Sequence, residues 1–259
     1  MRNRISHGMS THSSPQQGKI ALVTGANKGI GLETARQLGR LGISVVVAAR
    51  DHAKAEAAAA TLKREGIDAV PLNLDVTSTA DIQAAAAFLE SHYGRLDILV
   101  NNAGINAENT FTGNNSQTVT QAELRKTFDT NFFGVVELTQ ALLPLLKKSP
   151  AGRIVNLTSI LGSLTLHADP ASPIAGSKAL AYNASKTALN AFTIHLAAAL
   201  KDTPIKVNSA HPGWVKTDMG GTDAPMEIAD GAKTSVELAL IGADGPNGTY
   251  SHLGNKLPW

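Results

Sequence analysis

The sequence predicts an α/β fold: a doubly wound parallel sheet of about seven strands with helices on both faces. Three observations predict it. Short, nearly continuous apolar runs alternate along the chain with longer helical patterns, as in parallel sheets buried on both sides. The first apolar run passes straight through a glycine-rich loop into a helix. No internal repeat or break in composition divides the chain, so residues 18–259 read as one domain.

Composition sets the outer limits. The 259 residues are 43% hydrophobic, enough for a full core. Net charge is +2 with no long basic run, and the 4% of aromatic residues do not interleave with basic ones, which argues against nucleic-acid binding. There is no cysteine, so disulfides, thiolate metal sites and cysteine nucleophiles are excluded. A reducing compartment, the cytoplasm, suits that composition. No apolar run approaches the roughly eighteen residues of a membrane span. The eight histidines show no H-E-x-x-H pattern, and no metal is expected. Residues 1–17 are polar and irregular, lack the apolar stretch of a signal peptide, and are expected to be a mobile tail.

Residues 19–24 are the first expected strand, and a helix follows to Leu41. Between them, Gly25 permits a tight turn. Gly29 and Gly31 let the backbone and the helix N-terminus approach a pyrophosphate. Residues 44–50 form a second buried strand, whose end meets the adenosine ribose in dinucleotide folds. A carboxylate there selects a free 2′-hydroxyl, and an arginine accommodates a 2′-phosphate. Ala49 offers no carboxylate, Arg50 comes next, and Lys28 adds a second positive charge. The pair favours NADP over NAD. Asp51 is placed to cap the helix of residues 51–65.

Residues 68–75 make a third strand, with Asp75 placed either to touch the adenine edge or to cap the helix running to Tyr93. Residues 96–101 are the fourth, leading into Asn101-Asn102-Ala103-Gly104, a turn small enough for backbone to lie against a ligand. Residues 121–148 read as one long helix, bent at Pro144, with Asn131 mid-helix where asparagine is mildly unfavourable. Residues 152–159 form the fifth strand, and Ser159 stands at its carboxyl end, where open parallel sheets place ligands.

Residues 168–177 read as a loop, and 179–200 as an Ala- and Leu-rich helix free of Gly and Pro. That helix carries Tyr182 and Lys186, four apart and so on one face. A tyrosine is a poor acid or base near neutrality, and a neighbouring ammonium is expected to lower its pKa. Such a pair would serve as a general acid, or as a base in reverse. Residues 205–213 give a sixth strand and turn. Residues 214–219 and the Gly-Gly-Thr after them read as a flexible flap, 230–241 as a last helix and 248–253 as a last strand.

Together these residues resemble the short-chain dehydrogenase/reductase family from about residue 19 onward. The resemblance rests on Thr24-Gly-x-x-x-Gly-Ile-Gly31, Asn101-Asn-Ala-Gly104, Asn131, Ser159, Tyr182-x-x-x-Lys186 and Pro212-Gly213. Gly25-Ala-Asn-Lys-Gly29, Ala49-Arg-Asp51 and His211-Pro-Gly-Trp-Val-Lys-Thr-Asp-Met219 are most similar to the NADPH-dependent carbonyl reductases.

The resemblance implies a single-domain Rossmann fold, NADP(H) as cofactor, and a small carbonyl or alcohol substrate. It implies that Tyr182 protonates the carbonyl oxygen as hydride arrives from the nicotinamide. Lys186 would lower the tyrosine's pKa and hold the nicotinamide ribose, Ser159 would bond the substrate oxygen, and Asn131 would anchor a water in a proton relay. Gly25, Asn27, Lys28, Gly29, Ile30, Gly31, Arg50, Asp75, Val76, Asn102, Ala103, Gly104, Pro212, Gly213, Val215 and Thr217 would line the cofactor together with Tyr182 and Lys186. Ile160, Leu161, His167, Trp214 and Met219 would form a mostly apolar substrate pocket. Ser159 and Tyr182 lie 23 positions apart, about ten more than is usual in the family. Those added residues, around 168–180, either cover a surface used for assembly or wall the pocket, so a dimer, a tetramer and a monomer all remain open.

Two other readings compete. A dinucleotide-binding sensor without turnover would need the same glycine loop. A hydrolase would need Ser159, His211 and Asp218 as a triad, but the chain has no G-x-S-x-G elbow to expose the serine.

Overall fold

The computed structural model of the chain describes residues 16–259. The expected tail, residues 1–17, lies almost wholly outside them. In the first half of the chain, strands β1 (Ile20–Val23), β2 (Ser44–Ala49), β3 (Ala69–Asn73) and β4 (Ile98–Asn101) alternate with helices α1 (Gly29–Arg40), α2 (His52–Arg64) and α3 (Thr79–Tyr93). A two-residue strand β5 (Gly113–Asn114) follows, then α4 (Gln121–Phe128), a π-helical turn (Asp129–Phe133) and α5 (Gly134–Leu146). Next come β6 (Arg153–Leu157), a 3-10 turn (Ile160–Gly162), α6 (Leu164–Ala168), β7 (Ser177–Lys178) and α7 (Leu180–Ala199). The chain ends with β8 (Lys206–Ala210), α8 (Ile228–Gly231), α9 (Lys233–Leu240), β9 (Tyr250–His252) and β10 (Asn255–Lys256).

The main sheet has the order β10-β9-β8-β6-β4-β1-β2-β3. Seven strands are parallel, as expected, and β10 adds a short antiparallel edge against β9. Strands β5 and β7 form a separate parallel pair away from the main sheet.

Strand periodicity builds the two cores. Along β1, Ile20 and Leu22 face one side, with Leu138 and Leu142 of α5 and Leu196 of α7 in the same cluster. Ala21 and Val23 face the other, with Leu38 of α1, Leu62 of α2 and Leu238 of α9. Strand order reverses between β1 and β4, which opens a crevice at their carboxyl ends.

Just below that crevice a buried polar ladder crosses the sheet. Asn101 Nδ2 donates to Thr139 Oγ1 at 3.1 Å and to Asn156 Oδ1 at 2.9 Å. Asn156 Nδ2 donates to Thr193 Oγ1 at 2.9 Å, and Thr193 Oγ1 meets Ser209 Oγ at 2.8 Å. These bonds fix β4, β6, β8, α5 and α7 against one another beneath the site.

The long helix expected over 121–148 is interrupted, and not where proline suggested. Pro144 sits inside α5, while the π turn at Asp129–Phe133 breaks the α pattern. Gly134 follows that turn. A Cβ there would lie 2.3 Å from the Val76 carbonyl oxygen, so only glycine lets α5 come this close to the β3–α3 connection.

Candidate active site

The loop from β1 into α1 has Gly25 at φ 59° and Gly29 at φ 57°, both left-handed. A Cβ on Gly31 would lie 2.4 Å from Asn102 Nδ2 and 2.5 Å from the Gly25 carbonyl oxygen. The close approach is held by hydrogen bonds. Asn102 Nδ2 donates to the carbonyls of Thr24 at 2.9 Å and Gly25 at 3.1 Å. Thr24 Oγ1 accepts from the backbone N–H groups of Asn102 and Ala103, each at 3.0 Å. The N-cap of α1, Lys28, makes no side-chain capping bond, so the helix N-terminus keeps its N–H groups for the crevice.

A cleft of about 790 Å³ opens over this loop. Of the expected residues, Gly25, Asn27, Lys28, Gly29, Ile30, Gly31, Arg50, Val76, Asn102, Ala103, Gly104, Tyr182, Lys186, Pro212, Thr217 and Met219 line it. Leu74, Ile105, Thr130, Thr158, Asp218 and Ile228 join them. Most of these adjoin residues already singled out, and reading one position to either side of each motif would have found them. The crevice, the cramped Gly31 and the two cations Lys28 and Arg50 fit a phosphorylated dinucleotide.

Several expected residues take other places. Asp75 accepts from Thr77 N and Oγ1 at 2.9 and 2.8 Å, and Ser78 caps α3 instead. Gly213 and Val215 anchor the flap rather than line the cleft. A Cβ on Gly213 would lie 2.1 Å from Met226 Sδ, and Val215 bridges to Met226. The flap is tied down: Trp214 Nε1 donates to the Gly220 carbonyl at 2.8 Å, and Lys28 pairs with Asp218 across the cleft mouth. Ile160 and Leu161 lie in the 3-10 turn after Ser159, and Trp214 is largely exposed. His167 is fully engaged, with Nε2 at 2.9 Å from the Leu161 carbonyl and Nδ1 at 3.0 Å from Lys178 Nζ. Its Nε2 also lies 3.2 Å from Asn183 Nδ2, so the ring braces the 160–178 segment against α7.

The four residues expected to be catalytic do converge. Tyr182 and Ser159 are both buried, and the serine side chain is near enough to the phenol to oppose part of its pKa rise. Lys186, one turn along α7, donates from Nζ to the Leu157 carbonyl at 2.9 Å. Asn131 enters the core through the π turn, fully buried. Its Nδ2 donates to the Ile105 carbonyl at 2.8 Å and to Ser185 Oγ at 3.0 Å, and its Oδ1 accepts from Ile105 N at 2.8 Å. Both amide hydrogens are therefore committed to protein, and only the second lone pair of Oδ1 is left for a water. Ser159 Oγ accepts from Leu161 N at 3.1 Å, and the Ser159 carbonyl accepts from the Tyr250 hydroxyl.

Electrostatics correct one expectation. Burial pushes the Tyr182 phenol up to about 12, against the smaller opposing pull of the Ser159 side chain. Burial likewise lowers Lys186 to about 8. Burial therefore sets the net direction of the Tyr182 shift, which is upward rather than downward.

The hydrolase triad does not assemble. His211 Nδ1 accepts from Ile160 N at 3.1 Å, and Asp218 pairs with Lys28. Among the described residues no cluster of three or more His, Cys, Asp or Glu could hold a metal, and no helix is long and apolar enough to cross a membrane.

Known proteins resemble this chain over most of its length. The family model described as short chain dehydrogenase matches residues 19–227. NADPH carbonyl reductase 1 of Mus musculus is 33% identical, over 93% of this chain and 98% of its own. A short-chain dehydrogenase of Penicillium roqueforti is 36% identical over 86% and 89% of the two chains. The NADPH-bound carbonyl reductase from chicken fatty liver superposes with a TM-score of 0.81 at 29% identity, covering 94% of this chain and all of that one. The glycine loop and the converging Asn131, Ser159, Tyr182 and Lys186 thus stand in a chain that belongs to the short-chain dehydrogenase/reductase family and is carbonyl reductase-like.

Proposed function

We propose that the chain is an NADPH-dependent reductase that converts a ketone or aldehyde, reversibly, to an alcohol. The joint presence of Tyr182 and Lys186 in the lining of the glycine-loop cleft carries the reading. Relatives named as NADPH carbonyl reductases support the choice of substrate class and cofactor. The absence of cysteine supports a cytoplasmic setting.

A bound nicotinamide dinucleotide supplies the hydride. The protein's own residues do the rest. Gly25, Gly29 and Gly31 admit a pyrophosphate to the N-terminus of α1, and Arg50 and Lys28 meet a 2′-phosphate. Asn102 to Gly104, Pro212 and Thr217 flank the cofactor. Tyr182 holds its proton on Oη and delivers it to the substrate oxygen, while Ser159 Oγ stabilises charge growing there. A phenol held near 12 stays protonated throughout the neutral range. An alkoxide is a much stronger base than a phenolate, so the proton moves downhill. That loaded state suits reduction, and oxidation requires higher pH.

The test is Tyr182→Phe. NADPH binding, followed by fluorescence titration, should persist while kcat falls about a hundredfold or more. An undiminished kcat rules Tyr182 out as the acid. A panel of aryl ketones, quinones, terpenoid ketones and long-chain aldehydes, followed by NADPH absorbance, defines the substrate class.

A further inference from the structure

Helix α7 begins without its own cap. The N-cap residue, Ala179, has no acceptor side chain, and the first turn contains no acidic residue. The first helical bond runs from Asn183 N to the Ala179 carbonyl at 3.0 Å. The N–H groups before it would be orphans in an isolated helix. Each of them is taken by a loop far upstream. Leu180 N donates to Asn115 Oδ1 at 2.9 Å, Ala181 N to Glu108 Oε1 at 3.2 Å and Tyr182 N to Glu108 Oε2 at 2.9 Å.

The loop is built to present that carboxylate. Asn106 Oδ1 accepts from Glu108 N at 3.1 Å, and Asn106 Nδ2 donates to the Thr110 carbonyl at 2.9 Å. Asn109 takes the left-handed conformation, φ 55°, that turns the chain back after Glu108. Asn115 Nδ2 donates to Glu108 Oε1. Pairing of β5 with β7 ties the loop to the residues leading into α7. Phe111, in the same loop, meets the Tyr182 ring edge-on, with centroids 5.1 Å apart and planes at 84°. The loop therefore grips Tyr182 twice, at its backbone N–H and at its ring.

We propose that Glu108 is a positioning residue for Tyr182: its carboxylate caps the catalytic helix from 74 positions away and so fixes the phenol in the cleft. The proposal rests on the reductase reading and deepens it. A carboxylate accepting two N–H groups at a helix N-terminus makes charge-assisted bonds and opposes the positive end of the helix dipole. Without it the first turn frays, and Tyr182 lies in that turn. Lys186 lies a full turn deeper, held by the Leu157 carbonyl, and Glu108 is not among the residues lining the cofactor cleft. The effect therefore falls on the chemical step and spares cofactor binding. A misplacement of about 1 Å at a reacting group can cost about a hundredfold in rate.

The experiment compares wild type with Glu108→Ala and Glu108→Gln. Three quantities are read: kcat on the best carbonyl compound of the panel above, the NADPH dissociation constant, and hydrogen exchange at the amides of residues 180–182. Glu108→Ala should lower kcat about tenfold to a hundredfold. Its NADPH dissociation constant should stay within about twofold, with protection of the three amides reduced. Glu108→Gln keeps one acceptor oxygen and should recover part of kcat and part of the protection. It also carries the test if the alanine variant fails to fold. A kcat within about twofold of wild type in the variants overturns the proposal, as does parallel loss of kcat and NADPH affinity, the mark of general structural damage. If wild type reduces nothing on the panel, the reductase reading itself falls and takes this role with it. Loss confined to the Glu108 assignment instead leaves an active wild type.

Discussion

Lys186 Nζ stands 5.7 Å from the centroid of the Tyr182 ring, and its hydrogen bond goes to the Leu157 carbonyl rather than to the phenol. Lys186 is the group that titrates in the working range. Burial lowers it to about 8, while burial holds Tyr182 at about 12. Carbonyl reduction should therefore be nearly flat with pH below about 8 and fall above it, as Lys186 loses the charge that steadies a phenolate beside it. A pH–rate profile of kcat/KM with NADPH checks this. Lys186→Arg, which keeps its charge, should abolish the break even at a lower rate.

The same burial carries a stability cost of opposite use. Lys186 has a folded-state pKa of about 8, below its ordinary 10.5, so the folded chain holds that proton less well than the unfolded one. Stability on this account is full above about 10.5 and is lost as pH falls through about 8. At pH 7 the penalty is therefore fully present, on the order of 1–3 kcal/mol after allowing for the bond to Leu157. Lys186→Met should raise the thermal midpoint at pH 7 while abolishing turnover, a trade expected at a functional site. Calorimetry at pH 7 and pH 10.5 should show the gain shrinking at the higher pH.

Much of this fold was legible because its signals are local. The apolar runs around Val45–Val47 and Ile98–Val100 cannot serve a helix of ordinary length, and Gly25, Gly29 and Gly31 announce a turn that other residues cannot make. The four converging residues were legible as a pattern. What escaped depends on neighbours distant in sequence. Glu108 caps Tyr182 across 74 positions, and nothing in the residues around either one signals it. The π turn at Asn131 arises from packing against Ile105 and Ser185, while the visible proline, Pro144, is accommodated in α5 without ending it. The direction of the Tyr182 shift was misjudged because spacing reveals the nearby ammonium but not the burial that opposes it.

His211 should govern acid stability. Burial, and then the neighbouring His252, lower its pKa to about 3 from the ordinary 6.5. Its Nδ1 accepts from Ile160 N, so the neutral ring holds the backbone next to Ser159. With the folded pKa depressed, this stability is intact above about 6.5 and drains as pH falls toward about 3. The slope reaches about 1.4 kcal/mol per pH unit. Urea denaturation at a series of pH values should show a flatter decline in His211→Asn, which keeps an acceptor but cannot take up the proton.

Gly31 offers the sharpest steric prediction. Its missing Cβ is the space occupied by Asn102 Nδ2 and the Gly25 carbonyl. Gly31→Ala must push the two loops apart, breaking the bonds of 2.9 and 3.1 Å that Asn102 makes to Thr24 and Gly25. We expect a loss of about 1–3 kcal/mol in stability, measured by denaturation, and NADPH binding weakened at least tenfold.

On the proposed NADPH preference, cofactor choice would turn on Arg50 and Lys28, which differ in a way spacing alone does not reveal. Arg50 lines the cleft with an exposed side chain, whereas Lys28 is already paired with Asp218 of the flap. A 2′-phosphate would meet Arg50 freely but must draw Lys28 away from a carboxylate. Arg50 should therefore carry the larger share of the selectivity. Removing a charge-assisted bond to phosphate costs about 1.5–3 kcal/mol, so Arg50→Ala should weaken NADPH about tenfold or more and NADH by less than about twofold. Lys28→Ala should cost less than Arg50→Ala. Asp218→Asn, which releases Lys28, should tighten NADPH relative to NADH, and added salt should narrow that gap because both partners are exposed. The kcat/KM ratio for the two cofactors, measured across these variants, decides the matter, and a wild type that prefers NADH would remove the case for a 2′-phosphate site.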